Sequence, residues 1–207
     1  MRRLKKGLLI VISGPSGAGK GTIIKRLKDE MPSISYSVSV TTRAPREGEV
    51  DGRDYFFKTY EEFKDMLHHN EFLETAEVYG NYYGTPKSYV QKLLMDGRDV
   101  ILEIDTVGAS NVKKQFPSAV TVFIVPPTAN DLVDRLNKRG TETEEVKNRR
   151  LEASSKEMAS IKNYDYIVVN NDLDEAVDDL CSIIKATHCS VKLNSVLVHK
   201  YSGGKKL

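Results

Sequence analysis

The residues Gly14-Pro15-Ser16-Gly17-Ala18-Gly19-Lys20-Gly21-Thr22 follow directly on the apolar run from Leu8 to Ile12. A loop of this kind turns successive backbone N–H groups into one concavity, and the positive end of the helix that follows reinforces them. The glycines let the chain take unusual backbone angles and approach an anion closely. Lys20 adds a mobile point charge suited to the outer phosphates of a nucleoside triphosphate. The usual pattern places Ser or Thr directly after the lysine, where its hydroxyl holds Mg²⁺. Here that place is taken by Gly21, and the hydroxyl arrives one position later as Thr22. The departure bears on metal ligation and leaves the phosphate cradle intact.

A second constellation lies downstream. Arg43 and Arg46 stand close together in a turn-prone stretch, with Tyr55 and later Tyr83 within the same region. Planar guanidinium forks grip phosphate oxygens bidentately, and tyrosine hydroxyls complete such a shell. Glu74 is a carboxylate able to accept two parallel hydrogen bonds. Guanine offers that pair from its ring N–H and exocyclic amino group, whereas adenine has no ring N–H there.

These residues need a rigid frame. Besides the run before the loop, the apolar stretches 99–104, 119–125 and 166–169 read as parallel strands, each alternating with a helical pattern. After Asp172, the residues Leu173, Ala176, Val177, Leu180, Cys181 and Ile184 repeat on one helical face. Between Ser35 and Tyr83 the texture changes to short alternating runs around a Gly-containing turn near residues 47–52, which indicates a small, mostly antiparallel insertion. The stretch 137–155 is almost entirely polar or charged and reads as a helical flap without a core of its own. The expected fold is α/β: a doubly wound parallel sheet around a phosphate loop. Its core is discontinuous over 1–36, 90–136 and 156–190, with an insertion at 37–89, a lid at 137–155 and a tail at 191–207. The tail shows no clear period.

Composition sets the outer bounds. The 207 residues are 40% hydrophobic and 29% charged, ordinary for one sizeable globular core. A net charge of +2 is too small to argue for a nucleic-acid or membrane partner. Cys181 and Cys189 suit neither a disulfide framework nor a zinc site, which favours a reducing, cytoplasmic setting. Arg2, Arg3, Lys5 and Lys6 before an apolar run have the look of a signal segment. That run is short and leads straight into the loop, so it reads as the first core strand.

Three strings narrow the reading: SVSVTTR-x-P-R-x-GE from Ser37, GNYYGT at 80–85 and RGTETEE at 139–145. With the loop, they make the chain resemble the guanylate kinases from Gly7 to about Ile184. The resemblance implies a P-loop phosphotransferase that moves the γ-phosphoryl group of ATP to GMP, with Mg²⁺. It implies that Ser39, Glu74 and Thr85 read guanine and that Arg43, Arg46, Tyr55 and Tyr83 hold the GMP phosphate. Arg139 and Arg150 match the lid arginines, and Asn170 the position near the ATP adenine. Glu103 and Asp105, closing the 99–104 run, are candidates for organising the GMP side or metal-bound water. Gly14 to Thr22 form the ATP side, with Lys20, Arg43, Arg139 and Arg150 as the catalytic set and Thr22 as the candidate metal contact. The chain departs from the family at Val107, where glutamine is usual, and at Asn171, where aspartate is usual. Arg149 duplicates the charge beside Arg150.

Two other readings stay open on the sequence. One is a catalytically silent binding module of the same fold; the other is a nucleoside monophosphate kinase of different base specificity. A GTPase is disfavoured, because Asn137-Lys138 is followed by Arg139-Gly140 and lacks the aspartate of a guanine-reading NKxD.

Overall fold

The computed structural model describes residues 6–78, 80–137, 152 and 154–202. Five parallel strands form the frame: β1 (Leu9–Ser13), β2 (Ser35–Tyr36), β7 (Val100–Glu103), β8 (Val120–Val125) and β9 (Tyr166–Val169). Their order across the sheet is β2-β7-β1-β8-β9, which puts β1 at the centre. Ile10 faces Ile101 on one neighbour and Val120 on the other. Strands buried on both faces need continuous apolar sequence, and β1 and β8 are buried throughout.

Side-chain alternation splits the core into two layers. Ile10 and Ile12 pack with Ile23 and Leu27 of α1 (Lys20–Glu30) and with Val177, Leu180 and Ile184 of α6 (Leu173–Cys189). Leu9 and Val11 pack on the other face with Val90 and Leu93 of α3 (Lys87–Met95) and Ala109 and Val112 of α4 (Thr106–Gln115). The doubly wound α/β arrangement read from the sequence is therefore present. Asp172 caps α6 by accepting from the backbone N–H groups of Asp174 and Glu175, and those two acidic side chains sit at the positive end of the helix.

The second sheet has four strands in the order β4-β3-β6-β5: β3 (Val40–Thr41), β4 (Phe56–Phe57), β5 (Phe72–Val78) and β6 (Asn81–Pro86). β6 runs antiparallel to both β3 and β5, whereas β3 and β4 pair in parallel. A small core of Val40, Phe63 and Phe72 holds it against α2 (Tyr60–His68), which opens with a reciprocal Thr59–Glu62 capping box. β5 also packs on α4, bringing the insertion up to the main sheet.

Besides the helix α2 inside the insertion, β2 and a tail helix were not read from the sequence pattern. β2 is a two-residue edge strand, too short to show a period. In the tail, residues Ser195–Ser202 form α7, a helix with no buried residue and hence no amphipathic stripe to read. α5 (Ala129–Asn137) follows β8. The predicted lid residues 138–151, including Arg139, Arg149 and Arg150, lie outside the described residues.

Candidate active site

The C-terminal end of β1 runs into the glycine loop, where open parallel sheets bind ligands. Gly14, Gly17 and Gly19 all have positive φ, and Gly19 is the residue from which α1 starts. At Gly14 the need is twofold. Its φ of +151° disfavours a side chain, and a Cβ there would collide with the Ile124 carbonyl of β8. Lys20 reaches back over the loop and donates from Nζ to the Gly14 carbonyl at 2.6 Å and the Pro15 carbonyl at 3.2 Å. Its charge thus stands over the cradle formed by Pro15, Ser16, Gly17 and Ala18. Gly21 faces open space, and Thr22 is exposed in the first turn of α1.

Asn170 arrives from the end of β9. Its Nδ2 donates to the Ala18 carbonyl at 2.7 Å, so the side chain braces the loop backbone. The backbone carbonyl of Asn170 accepts from Arg135 Nη2 at 2.9 Å. Arg135, on α5, went unnoticed in the sequence; its signal there is only a basic residue near the end of an amphipathic helix. Glu157 also approaches the loop from residues 154–158, which are helical. Burial raises its pKa, the nearby charge of Lys20 opposes that, and Asp105 adds to it.

The second half of the site is a cavity of about 170 Å³ whose wall includes Ser37, Ser39, Tyr55, Glu74, Tyr83 and Asp105. Glu74 is buried, and its Oε1 accepts from the Thr85 hydroxyl at 2.6 Å across the β5–β6 pair. Burial raises the Glu74 pKa, the Thr85 bond works against this, and Asp105 pushes it further up. Glu103 accepts from the Tyr36 hydroxyl at 3.4 Å, and the Tyr36 pKa is raised mainly by burial. Ser37 is buried with no hydrogen-bond partner for its hydroxyl. It lines the same cavity as Ser39, two residues further on, and nothing in its residue type sets it apart in the sequence.

At the mouth, the Arg43 guanidinium lies over the Tyr55 ring at 5.4 Å, and Tyr55 and Tyr83 meet edge to face at 6.0 Å. Arg46 is exposed beside them. The two halves of the site join through β1 and β7. Ser13, the last β1 residue before the loop, donates from Oγ to the Ile104 carbonyl at 2.8 Å, and the next residue is Asp105. Asp105 in turn caps α4 by accepting from the Gly108 N–H at 2.7 Å. Val107 is 66% exposed on that first turn.

A phosphate loop and a carboxylate-floored cavity at the C-terminal ends of neighbouring parallel strands suit phosphoryl transfer between two nucleotides. Comparison with known proteins decides the family. The guanylate kinase family model matches residues 6–187. The chain belongs to the guanylate kinase family. A guanylate kinase of Caldanaerobacter subterraneus subsp. tengcongensis is 52% identical over 196 residues, 95% of both chains. One from Halalkalibacterium halodurans is 49% identical over 197 residues, again 95% of each. The crystal structure of guanylate kinase from Anaplasma phagocytophilum superposes with a TM-score of 0.73 at 33% identity, covering 90% of this chain and 88% of that one.

Within this guanylate kinase fold, the structure brings Ser39, Tyr55, Glu74, Tyr83, Glu103 and Asp105 to one cavity. Thr85 touches it through Glu74, and Lys20 and Asn170 gather on the loop. Both cysteines are free thiols, and among the described residues no helix is long and apolar enough to cross a membrane.

Proposed function

We infer that this chain transfers the γ-phosphoryl group of ATP to GMP, giving ADP and GDP. The observation that carries the reading is that both halves of the site lie at the C-terminal ends of the adjacent strands β1 and β7. The loop that suits a triphosphate and the cavity floored by Glu74 are joined by the Ser13–Ile104 contact and Asp105. ATP would lie with its β- and γ-phosphates over Gly14 to Lys20, and GMP with its base in the cavity. Glu74, with Ser39 and Thr85 beside it, accepts the two guanine donors. Arg43, Arg46, Tyr55 and Tyr83 hold the GMP phosphate.

Transfer of this kind asks the protein for positioning and charge neutralisation, not covalent chemistry. Lys20 would exchange the Gly14 and Pro15 carbonyls for phosphate oxygens as the triphosphate arrives. Tyr55 and Tyr83 orient the acceptor phosphate, and the Arg43 charge offsets the negative charge brought together by two phosphates. Arg139 and Arg150 would close over the transferring group and exclude water, a role that rests on the family resemblance.

Mg²⁺ fits this site in a particular way. Among the described residues no group of three acidic, His or Cys side chains converges, and no hydroxyl follows Lys20 directly. A hard ion that keeps several waters and binds mainly to substrate phosphates needs only outer donors, such as Thr22 and the Glu103 and Asp105 carboxylates. When bound, Mg²⁺ neutralises charge on the β- and γ-phosphates.

A coupled assay of ADP release tests the reading with GMP, AMP, CMP and UMP in turn. GMP should be the preferred acceptor by orders of magnitude, and faster turnover of any other monophosphate overturns it.

A further inference from the structure

Arg43 does not stand alone at the cavity mouth. Its Nη2 donates to both oxygens of Glu49, at 2.8 and 2.9 Å, and the Arg46 backbone N–H donates to Glu49 Oε2 at 2.7 Å. Arg43 Nη1 is held separately by the Ala44 carbonyl at 2.7 Å. The turn closes through the Glu49 N–H to the Arg46 carbonyl at 3.1 Å, with Gly48 at a φ of +85° making the bend. Exposed ion pairs contribute little because two long side chains must be ordered in water. This pair differs, since the Arg43 and Glu49 side chains are only 15% and 20% exposed and a backbone donor joins them. Tyr55 and Tyr83 line the cavity, and the Arg43–Glu49 pair adjoins it through the Tyr55 ring. The carboxylate holds one edge of the guanidinium, while its face lies over the Tyr55 ring at 5.4 Å.

We propose that Glu49 is a positioning residue for the acceptor phosphate, holding the Arg43 guanidinium and the Arg43–Arg46 turn in place before the nucleotide arrives. The inference rests on the reading of Arg43 as a phosphate ligand. A free arginine loses side-chain freedom when it binds an anion, and ordering it beforehand lowers that cost. Its position within R-x-P-R-x-GE shows only that a carboxylate follows the arginines.

Calorimetric titration of GMP and of guanosine, which lacks the phosphate, separates the possibilities. Glu49→Gln should weaken GMP binding about tenfold, as expected for a lost charge-assisted contact, and leave guanosine and ATP binding unchanged. In an Arg43→Ala background the same substitution should have a clearly smaller effect, because only its contact with the Arg46 backbone remains. The proposal is overturned if Glu49→Gln tightens GMP, which would make the carboxylate a competitor of the phosphate. It is equally overturned if GMP and guanosine weaken together, which would mean the turn has collapsed, or if neither changes. Should Arg43→Ala itself leave GMP binding intact, the assignment of the phosphate site falls and Glu49 falls with it.

Discussion

Asn170 Nδ2 donates to the Ala18 carbonyl at 2.7 Å, tying the end of β9 to the phosphate loop across 152 residues of chain. The contact is buried, so the loop carbonyl has no water to replace the amide. Removing one partner of such a bond costs about 1–3 kcal/mol. Asn170→Ala should therefore lower the melting temperature and raise the KM for ATP, with the KM for GMP unchanged. Asn170→Asp should be worse than alanine, because it sets a carboxylate oxygen against the carbonyl. Thermal melts with and without a non-hydrolysable ATP analogue check both.

Lys20 is the charge nearest the transferring group in this reading. Lys20→Met keeps the aliphatic stem over the loop and removes the ammonium. Turnover should fall roughly a hundredfold or more, as for other preorganised electrostatic contacts, while the fold is retained. Circular dichroism together with kcat tests this; a folded variant with near-normal turnover would remove Lys20 from the catalytic set.

The proposed guanine contact of Glu74 ties recognition to pH. Burial, reinforced by Asp105 and opposed by Thr85, raises its pKa, so the folded chain binds this proton more tightly than the unfolded one. Stability from Glu74 is then present below the ordinary carboxylate pKa and is lost as pH rises through the raised value. At neutral pH the buried charge is a burden. Glu74→Gln should raise the melting temperature there, and the gain should shrink on acidification. Under the proposed role guanine is read by the ionised form, so kcat/KM for GMP should rise with pH through an acid limb above the usual carboxylate range. That limb should vanish in Glu74→Gln, along with most of the preference for GMP over AMP. A wild-type limb that persists in the variant would refute the assignment.

Gly14 and Gly21 separate conformational need from mere composition. Gly14→Ala meets both a positive φ and the Ile124 carbonyl, so it should destabilise the protein and disable ATP binding. Among the described residues, nothing outside its own helical turn lies within 4 Å of an added Cβ at Gly21, which sits in the first turn of α1. Gly21→Ala should stabilise the fold by about 0.5–1 kcal/mol through helix propensity alone. Denaturant melts of the two variants should move in opposite directions.

By itself, the sequence determined whatever depends on near neighbours. Strong apolar runs marked β1, β7, β8 and β9, and a 3.6-residue stripe marked α6, because each element carries its own burial pattern. The glycine loop and Lys20 were legible because their chemistry is compressed into nine consecutive residues. Only the tertiary structure decided how distant groups pair. The turn of Asn170 onto Ala18, the Thr85 hydroxyl on Glu74 and the Tyr36 hydroxyl on Glu103 join residues whose separation in the chain gives no periodic signal. The grip of Glu49 on Arg43 spans only six residues, yet it too was hidden. Residue type shows that a carboxylate and a guanidinium are near each other; which atoms meet, and which face is left for substrate, follows from backbone angles and side-chain packing.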